Sequence, residues 1–358
     1  MDSSGTPFIL RGAQIASAFN NFNTWKDNYN HLSDVTGIIT SKLNPTVFYQ
    51  MSTVWHMNAL RLPTSNWIYS NKHDQTLYLN LLDQVVQQAN QAGLYVILDL
   101  HDDLQSGSPY GSGASVPKPE TIDYWKAIAT HYLNNTQVMF DVFNEPQYPD
   151  ANTWLNGGGT ITGSTGLSAT IVGMQAIVNA IRVTGAQQII IVGGIEVVVC
   201  SNASLNVSDP NIVYTRHAYR DVSYGSSTCN GKTITWDASW GSFKGQYPLY
   251  YGEWALLPNT VYPYQCQGAT QANADQKVVD FMNYMNRNNI NWTAWEFDSP
   301  YLIQDHTNFT PTNLDDPNNP WICNNTKSTA GMGTLVYLDL LSLVQGANLT
   351  ESGNFTAC

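Results

Sequence analysis

Short apolar runs alternate along this chain with longer segments in which apolar residues recur every three or four positions. Uninterrupted runs are typical of parallel strands buried on both faces, and the longer spacing is typical of one helical face. The pattern predicts eight strands, at residues 8–13, 59–62, 95–100, 138–143, 189–192, 212–216, 249–251 and 292–295. It predicts helices between them, among which are 78–92, 122–133, 169–183 and 273–288.

Helix endings support this alternation. Gly93 and Gly185 follow two of the predicted helices, at the position where a left-handed glycine commonly ends a helix. Eight strand–helix units in one chain predict the α/β class and a (β/α)8 TIM barrel. The alternative is a doubly wound open sheet, but no Gly-x-Gly-x-x-Gly follows the first strand.

The chain is expected to form one domain over residues 1–358, with an irregular tail from about residue 346, because no repeat or linker interrupts it. Residues 157–166 are rich in Gly, Ser and Thr, and we predict a mobile loop there on the carboxyl side of the strands. Residues 298–329 form a second long irregular stretch after the eighth strand. A connection of that length usually has a function.

Composition narrows the range of partners. Charged residues make up only 12% of the chain, the net charge is −12, and the 15 Lys and Arg residues form no basic run. We therefore expect neither nucleic acid nor a membrane surface as a partner. No run approaches the roughly 18 apolar residues that cross a bilayer. A neutral polar surface suits a neutral, hydroxyl-rich ligand.

Two glutamates stand at strand ends. Glu145 lies in Phe143-Asn144-Glu145-Pro146 after the fourth run, and Glu253 follows Leu249-Tyr250-Tyr251-Gly252 at the seventh. The carboxyl end of a barrel strand opens into the active site of this fold. Two carboxyl groups at such positions are the minimal machinery for breaking a glycosidic bond. A single strand-end glutamate is more often an ordinary charge, but the pair favours catalysis.

Further polar and aromatic residues follow the predicted strands, and six of the eight strands contribute one or more: Arg61, His101, Asn144, Glu145, His217, Tyr219, Glu253 and Trp295. Each also has a structural alternative. Strand-end histidines often satisfy hydrogen bonds of the core, an arginine can pair with a core carboxylate, and a tryptophan can fill the barrel top.

Other acids compete with the two glutamates. Strand alternation turns Glu296 away from the mouth if Trp295 faces it. Asp99 and Asp141 lie earlier in their strands, and we expect structural roles for them. Glu196 and Asp298 lie in predicted loops, where they can bind substrate.

The ordered set of motifs resembles glycoside hydrolase family 5, the cellulase family of retaining (β/α)8 enzymes. The resemblance covers nearly the whole chain and rests on Leu10-Arg11-Gly12, Leu60-Arg61-Leu62-Pro63, Val96-Ile97-Leu98-Asp99-Leu100-His101, Phe143-Asn144-Glu145-Pro146, His217-Ala218-Tyr219, Gly252-Glu253-Trp254 and Thr293-Ala294-Trp295. It implies an endo-acting β-1,4-glucanase. A β-1,4-mannanase or another β-glycan hydrolase is the alternative, and a carbohydrate-binding barrel without hydrolysis is the alternative from another class.

The resemblance also implies a role for each site residue. Glu145 would be the acid/base and Glu253 the nucleophile, kept ionised by hydrogen bonds from Arg61 and Tyr219. Asn144 would bind the sugar 2-hydroxyl, and Trp295 would stack on the ring. His101 and His217 would fix hydroxyl groups and the network around the carboxyls. We expect a polysaccharide or oligosaccharide as the partner, a monomer, and neither cofactor nor metal, since these histidines lack a nearby ligand trio.

Five cysteines occur, and none forms a Cys-x-x-Cys pair. Four lie after neighbouring strands, which predicts the disulfides Cys200–Cys229 and Cys266–Cys323 with Cys358 left free. An intracellular protein would instead keep its thiols reduced. Eight Asn-x-Ser/Thr motifs favour an extracellular protein, whose signal peptide would be absent from this sequence.

Overall fold

The structure, a computed structural model, describes residues 8–16, 19, 32–70, 75–101, 110, 115–201, 204–229, 232–238, 240–256, 273–313, 331–345, 347–349 and 355–357. Eight strands close into a barrel in which spatial neighbours are also neighbours in the chain. They are β1 (Arg11–Gln14), β2 (Ala59–Thr64), β3 (Tyr95–Leu100), β4 (Val138–Asp141), β5 (Ile190–Val192), β6 (Ile212–His217), β7 (Leu249–Glu253) and β8 (Asn291–Ala294). The (β/α)8 prediction is confirmed.

The helices are Leu32–Lys42, Pro45–Tyr49, Asn66–Tyr69, Gln75–Gln91, Pro119–His131, Ala151–Asn156, Met174–Val183, Glu196–Cys200, Tyr219–Tyr224, Ala274–Arg287 and Gly333–Gln345. A π-helical turn spans Gln50–Val54, and a 3₁₀ turn spans Trp240–Phe243. Gly93 and Gly185 have φ angles of 87° and 92°, which confirms the predicted left-handed helix ends.

Each predicted strand overlaps one barrel strand, and the uniform burial explains why the apolar runs were informative. β2 and β7 are buried at every position, and β3 is buried at every position except Tyr95. The bounds of β3 coincide with the prediction, whereas β1 begins at Arg11, three residues later than predicted. Burial on both faces makes a strand's sequence nearly all apolar.

The chain divides into two compact units. The first comprises Met1–Ile15, Thr46–Ala59 and His217–Cys358, and the second comprises Ala16–Pro45 and Leu60–Arg216. The prediction of a single domain stays a prediction.

In the first unit, β8 pairs with both β1 and β7. The Asn291 side chain ties the three strands together at one level, because its Oδ1 accepts from the Leu10 amide and its Nδ2 donates to the Leu249 carbonyl, both at 2.8 Å. The Trp254 ring packs against Phe281 of helix Ala274–Arg287 and against Trp292. This unit therefore has an aromatic core of its own.

In the second unit, β4 pairs with β3 and β5, and β5 pairs with β6. Two buried tryptophans fasten helices to these strands. Trp125 donates from Nε1 to the Val142 carbonyl, and Trp154 donates to the Gly193 carbonyl, both at 2.9 Å. A polar indole tip is tolerated in a core because it finds such a partner.

The region predicted as a loop at 157–166 and a helix from 169 is different in the structure. Thr160–Thr162 and Ser168–Thr170 pair as a small antiparallel hairpin, and the helix begins only at Met174. The base of the hairpin is closed by Gly157 and Gly173, since a Cβ on Gly173 would lie 2.2 Å from the Gly157 nitrogen. Helix periodicity does not reveal such a backbone contact.

The predicted irregular tail also needs correction, because Ala347–Leu349 and Phe355–Ala357 form an antiparallel pair. Of the stretch 298–329, the structure describes residues 298–313. Among the described helices, none has the length and apolar character to cross a membrane.

The cysteine predictions are only partly covered. Cys200 is disulfide-bonded, and Cys229 ends a short strand, Ser227–Cys229. Cys266, Cys323 and Cys358 lie outside the described residues. The predicted pairing therefore stays a prediction.

Candidate active site

Arg61, inside β2, is the centre of a buried ionic network with Asp99 near the end of β3 and Asp141 at the end of β4. Its Nη2 lies 2.9 Å from Asp99 Oδ1, and its Nε donates to Asp141 Oδ2 at 3.0 Å. All three side chains are fully buried. A buried guanidinium needs such partners, since an unpaired charge in the core costs several kcal/mol. Asp99 and Asp141 therefore have the structural roles expected of them.

The same network orients two of the predicted ligand-binding side chains. Arg61 Nη2 donates to Asn144 Oδ1 at 3.0 Å, and His101 Nδ1 lies 2.6 Å from Asp99 Oδ2. Arginine has only donors, so Asn144 must accept through its oxygen, and the amide nitrogen is left as the donor of that side chain. The predicted hydrogen bond from Arg61 to Glu253 stays a prediction.

Glu145 follows β4 in an unusual backbone conformation. Its φ angle is +41°, a region that non-glycine residues rarely occupy and that is enriched at functional sites. Its side chain is exposed, whereas Asn144 and Pro146 on either side are buried. Pro146 fits against Gly194, where a Cβ would lie 2.7 Å from the proline ring. The chain around Glu145 is thus fixed, while Glu145 itself is exposed.

Glu253 ends β7 and has the opposite exposure, with only 3% of its surface accessible. Tyr219 Oη donates to Glu253 Oε2 at 2.7 Å, and His217 Nδ1 lies 3.5 Å from the same oxygen. The Ala218 amide, between these two residues in sequence, donates to the Glu253 carbonyl at 2.8 Å. The end of β6 therefore contacts both the backbone and the carboxyl group of Glu253.

Trp295 follows β8 and is half-buried. Its ring packs edge-to-face with Tyr219, with ring centroids 6.4 Å apart. Tyr219 therefore contacts two predicted site residues, the carboxyl of Glu253 and the ring of Trp295. The first unit thus brings together four predicted residues: His217, Tyr219, Glu253 and Trp295.

The remaining acids have identifiable surroundings. Glu296 is buried, and its carbonyl accepts from the amides of Asp298 and Leu302. Asp298 accepts from His306 and from the Ser299 amide, each at 2.7 Å. Glu196 is exposed and lies 4.0 Å from Arg216. Substrate binding by Glu196 or Asp298 stays a prediction.

Sequence reasoning did not identify the connection between Arg61, Asp99 and Asp141. A signal for it existed, because a charged residue in each of three consecutive apolar runs implies mutual compensation in the core. Tyr301 was also missed; its ring packs against Trp295 with centroids 6.4 Å apart. Nothing in the local sequence indicates that contact.

Comparison with known proteins agrees with this architecture. The family model of cellulase, glycosyl hydrolase family 5, matches residues 1–300. Endoglucanase 1 of Saitozyma flava is 27% identical over 291 residues, which cover 72% of this chain and 74% of that protein. Endoglucanase EG-II of Hypocrea jecorina is 25% identical over 282 residues, with 72% of this chain and 60% of that protein covered.

Solved structures show the same fold. The β-glucanase SdGluc5_26A from Saccharophagus degradans, crystallised with cellotetraose, has a TM-score of 0.60 at 21% identity, with 87% of each chain covered. XacCel5A in complex with cellopentaose has a TM-score of 0.58 at 20% identity and covers 93% of this chain and 99% of that one. These likenesses establish the fold.

The closed barrel of parallel strands and the family match define the class: this is a (β/α)8 glycoside hydrolase, an enzyme that cleaves O-glycosyl bonds. Within that class, the chain belongs to the cellulase family, glycosyl hydrolase family 5. The family resemblance inferred from the motifs is confirmed.

Proposed function

We propose that this protein is an endo-acting β-1,4-glucanase that retains the anomeric configuration, with Glu253 as nucleophile and Glu145 as acid/base. The observation that carries the assignment is the contact of Tyr219 Oη with Glu253 Oε2 at the end of β7. Support also comes from family membership and from relatives named as endoglucanases. Glu253 ends one barrel strand and Glu145 follows another, at the carboxyl ends where active sites of this fold lie.

The first step forms a glycosyl-enzyme. A Glu253 oxygen attacks the anomeric carbon as the bond to the glycosidic oxygen breaks, and Glu145 gives its proton to that leaving oxygen. In the second step, the Glu145 carboxylate takes a proton from water, the water oxygen attacks the anomeric carbon, and the Glu253 carboxylate leaves. Each glutamate ends the cycle in its starting protonation state.

The neighbouring residues support these steps. The hydrogen bond from Tyr219 favours the ionised form of Glu253. Asn144, whose oxygen is taken by Arg61, directs its amide donors to a sugar hydroxyl, and Trp295 provides an apolar face for the ring. His101 and His217 contact hydroxyl groups and the carboxyl network.

Stereochemistry tests the mechanism directly. Proton NMR of freshly formed product should show the β-anomer first, since two inversions restore the configuration. An α-anomer appearing first would contradict double displacement. The same reaction run with a chelator tests the proposed absence of a metal requirement, because an activity that disappears with chelation would overturn it.

The preferred glycan is tested by comparing reducing-sugar release from carboxymethyl cellulose, mannan, xylan and laminarin. We expect the β-1,4-glucan to be cleaved fastest. Mannan as the best substrate would favour the β-1,4-mannanase alternative, and binding without release would favour the non-hydrolytic barrel. Endo action predicts a rapid fall in viscosity at low conversion. We further propose that the protein acts outside the cell as a monomer, which secretion assays and sedimentation can check.

A further inference from the structure

The segment after β8 is held by an internal clasp. His306 Nε2 lies 2.7 Å from Asp298 Oδ1, and the same oxygen accepts from the Ser299 amide at 2.7 Å. Asp298 is only 6% exposed. We name this pair, Asp298 and His306, the clasp. The clasp closes a loop of nine residues, 298–306, which follows the end of β8 at Ala294.

Between the two clasp residues lies Tyr301, which is fastened from two sides. Its amide donates to the Asp298 carbonyl at 2.9 Å, and its carbonyl accepts from Thr312 Oγ1 at 2.6 Å. Thr312 Oγ1 also accepts from the Gly333 amide at 2.9 Å, at the start of the helix Gly333–Gln345. The backbone of Tyr301 is therefore anchored to the body of the first unit.

The ring of Tyr301 is the first in a series of side-chain contacts that leads to the proposed nucleophile. Tyr301 packs edge-to-face on Trp295, Trp295 packs edge-to-face on Tyr219, and Tyr219 donates to Glu253. The two edge-to-face contacts have interplanar angles of 79° and 71°. Trp295 therefore contacts two tyrosine rings, those of Tyr301 and Tyr219. The sequence analysis predicted neither contact.

We propose that Tyr301 is a positioning residue that fixes the ring of Trp295 for sugar stacking, and that the Asp298–His306 clasp holds Tyr301 in place. The inference rests on the proposed glucanase function and deepens it, since it assigns control of substrate affinity to the loop after β8. It also gives Asp298 a role different from direct substrate binding. A half-exposed ring without neighbouring rings samples several orientations. The free energy of ordering it then reduces the affinity for the sugar.

Four variants test the proposal on cello-oligosaccharides. Tyr301→Ala and Asp298→Ala should raise KM about three- to tenfold, the range expected when one aromatic contact is lost, with kcat changed less than twofold. Tyr301→Phe and Asp298→Asn should keep the wild-type KM, because the ring and the acceptor oxygen remain. Thr307→Ala, at the exposed position that follows the clasp, is the matched control.

A second measurement is independent of catalysis. Near-ultraviolet circular dichroism reports the packing of aromatic rings. Asp298→Ala keeps every aromatic ring and should change that spectrum, whereas Thr307→Ala should not. If Asp298→Ala fails to fold, His306→Ala removes the donor of the same clasp from its more exposed side. An unchanged KM in Tyr301→Ala, or an unchanged spectrum, would overturn the proposal. A wild-type protein that does not cleave β-glucan would instead overturn the proposed function, and the spectrum would still test the packing.

Discussion

Glu145 and Glu253 are the same residue type, each just after or at the end of a barrel strand, yet their surroundings differ sharply. Glu253 is 3% exposed and accepts a hydrogen bond from Tyr219. Glu145 is exposed, and it has a positive φ angle. The strands also present the two residues differently, because Glu253 is the last residue of β7 whereas Glu145 lies four residues beyond the end of β4.

This contrast matches the two roles in a double displacement. A nucleophile must stay ionised, which donors arranged around a buried carboxylate favour. An acid/base must exchange its proton with a leaving group and then with water, which suits an exposed carboxyl. Environment, more than residue type, separates the two functions.

The largest expected effect comes from Glu253→Gln. The amide cannot form the glycosyl-enzyme, so activity should fall by at least about 10⁴-fold on every substrate, whatever its leaving group. The isosteric change should leave the melting temperature nearly unaltered. Steady-state rates on a glucan and on an aryl cellobioside provide the measurement. Substantial turnover of either one would remove Glu253 from the proposed role.

Glu145→Gln should be less severe and should depend on the leaving group. On cellulose the loss should be about 10²–10⁴-fold, the usual contribution of proton transfer. On a dinitrophenyl cellobioside, the first step needs no proton, and a burst of dinitrophenol should precede slow turnover. Asp280→Asn, at an exposed carboxyl of the helix Ala274–Arg287, is the control and should behave as wild type. Equal losses on both substrates would contradict the acid/base assignment.

Arg61→Met tests the network that orients Asn144. The change leaves Asp99 and Asp141 buried without their cation, and the free energy of unfolding should fall by about 3–5 kcal/mol. Lys244→Met is the comparison, because Lys244 pairs with Asp237 at an exposed site, with an N–O distance of 2.6 Å. It should cost about 1 kcal/mol or less. Urea unfolding of both variants decides whether burial sets the difference.

Asp339 is a buried carboxyl that can be compared with Glu253. The effect of burial on its pKa is larger than the opposing effect of its partners. Burial raises its pKa from 3.8 to about 6, against smaller opposing effects from Asn286 and Arg11. Because the folded-state pKa is raised, its contribution to stability is complete below pH 3.8 and is lost as pH rises through 6. Asp339→Asn should therefore stabilise the protein at pH 7 by up to about 3 kcal/mol, since a pKa difference of one corresponds to about 1.4 kcal/mol.

The check is urea unfolding of wild type and Asp339→Asn at pH 4 and pH 7. The stabilisation should nearly disappear at pH 4, where the wild-type carboxyl is already protonated in the folded protein. An equal gain at both values would show that the effect comes from packing and not from ionisation.

Tyr219→Phe should produce the smallest effect. Losing one hydrogen bond to a charged group should lower kcat/KM about tenfold. It should also raise the pKa of Glu253 and move the acidic limb of the pH–rate profile upward. Tyr49→Phe, at an exposed tyrosine, is the control. A reduced rate with an unmoved acidic limb would mean that Tyr219 only positions Glu253.

Much of the barrel could be predicted because strands that are buried on both faces consist of nearly continuous apolar runs. β3 was delimited residue for residue, and the strand-end positions of Glu145 and Glu253 followed from their runs. The hairpin at 160–170 could not be predicted, because it depends on the close approach of two glycine backbones. Local sequence patterns indicate which residues are buried. They do not indicate backbone contacts between residues that are distant in sequence.

The site shows the same division. Strand ends identified the residue types, but the direction of each side chain depends on partners far away in sequence. Arg61 is held by residues 38 and 80 positions further along, Asp99 and Asp141. Tyr301 contacts Trp295 across a turn of the chain that also contains the Asp298–His306 contact. Such contacts require coordinates.

The hydrogen bonds of Asn291 have a consequence for biosynthesis. Asn291-Trp292-Thr293 has the form of an N-glycosylation acceptor, but the asparagine amide is committed to Leu10 and Leu249, and the Thr293 hydroxyl donates to Gly252 within the buried sheet. A glycan attached there during translocation would prevent β8 from joining its neighbours. In a eukaryotic secretory pathway, the yield of active enzyme would thus depend on whether the barrel closes before the oligosaccharyltransferase modifies Asn291. Thr293→Val would remove the acceptor motif and with it this dependence.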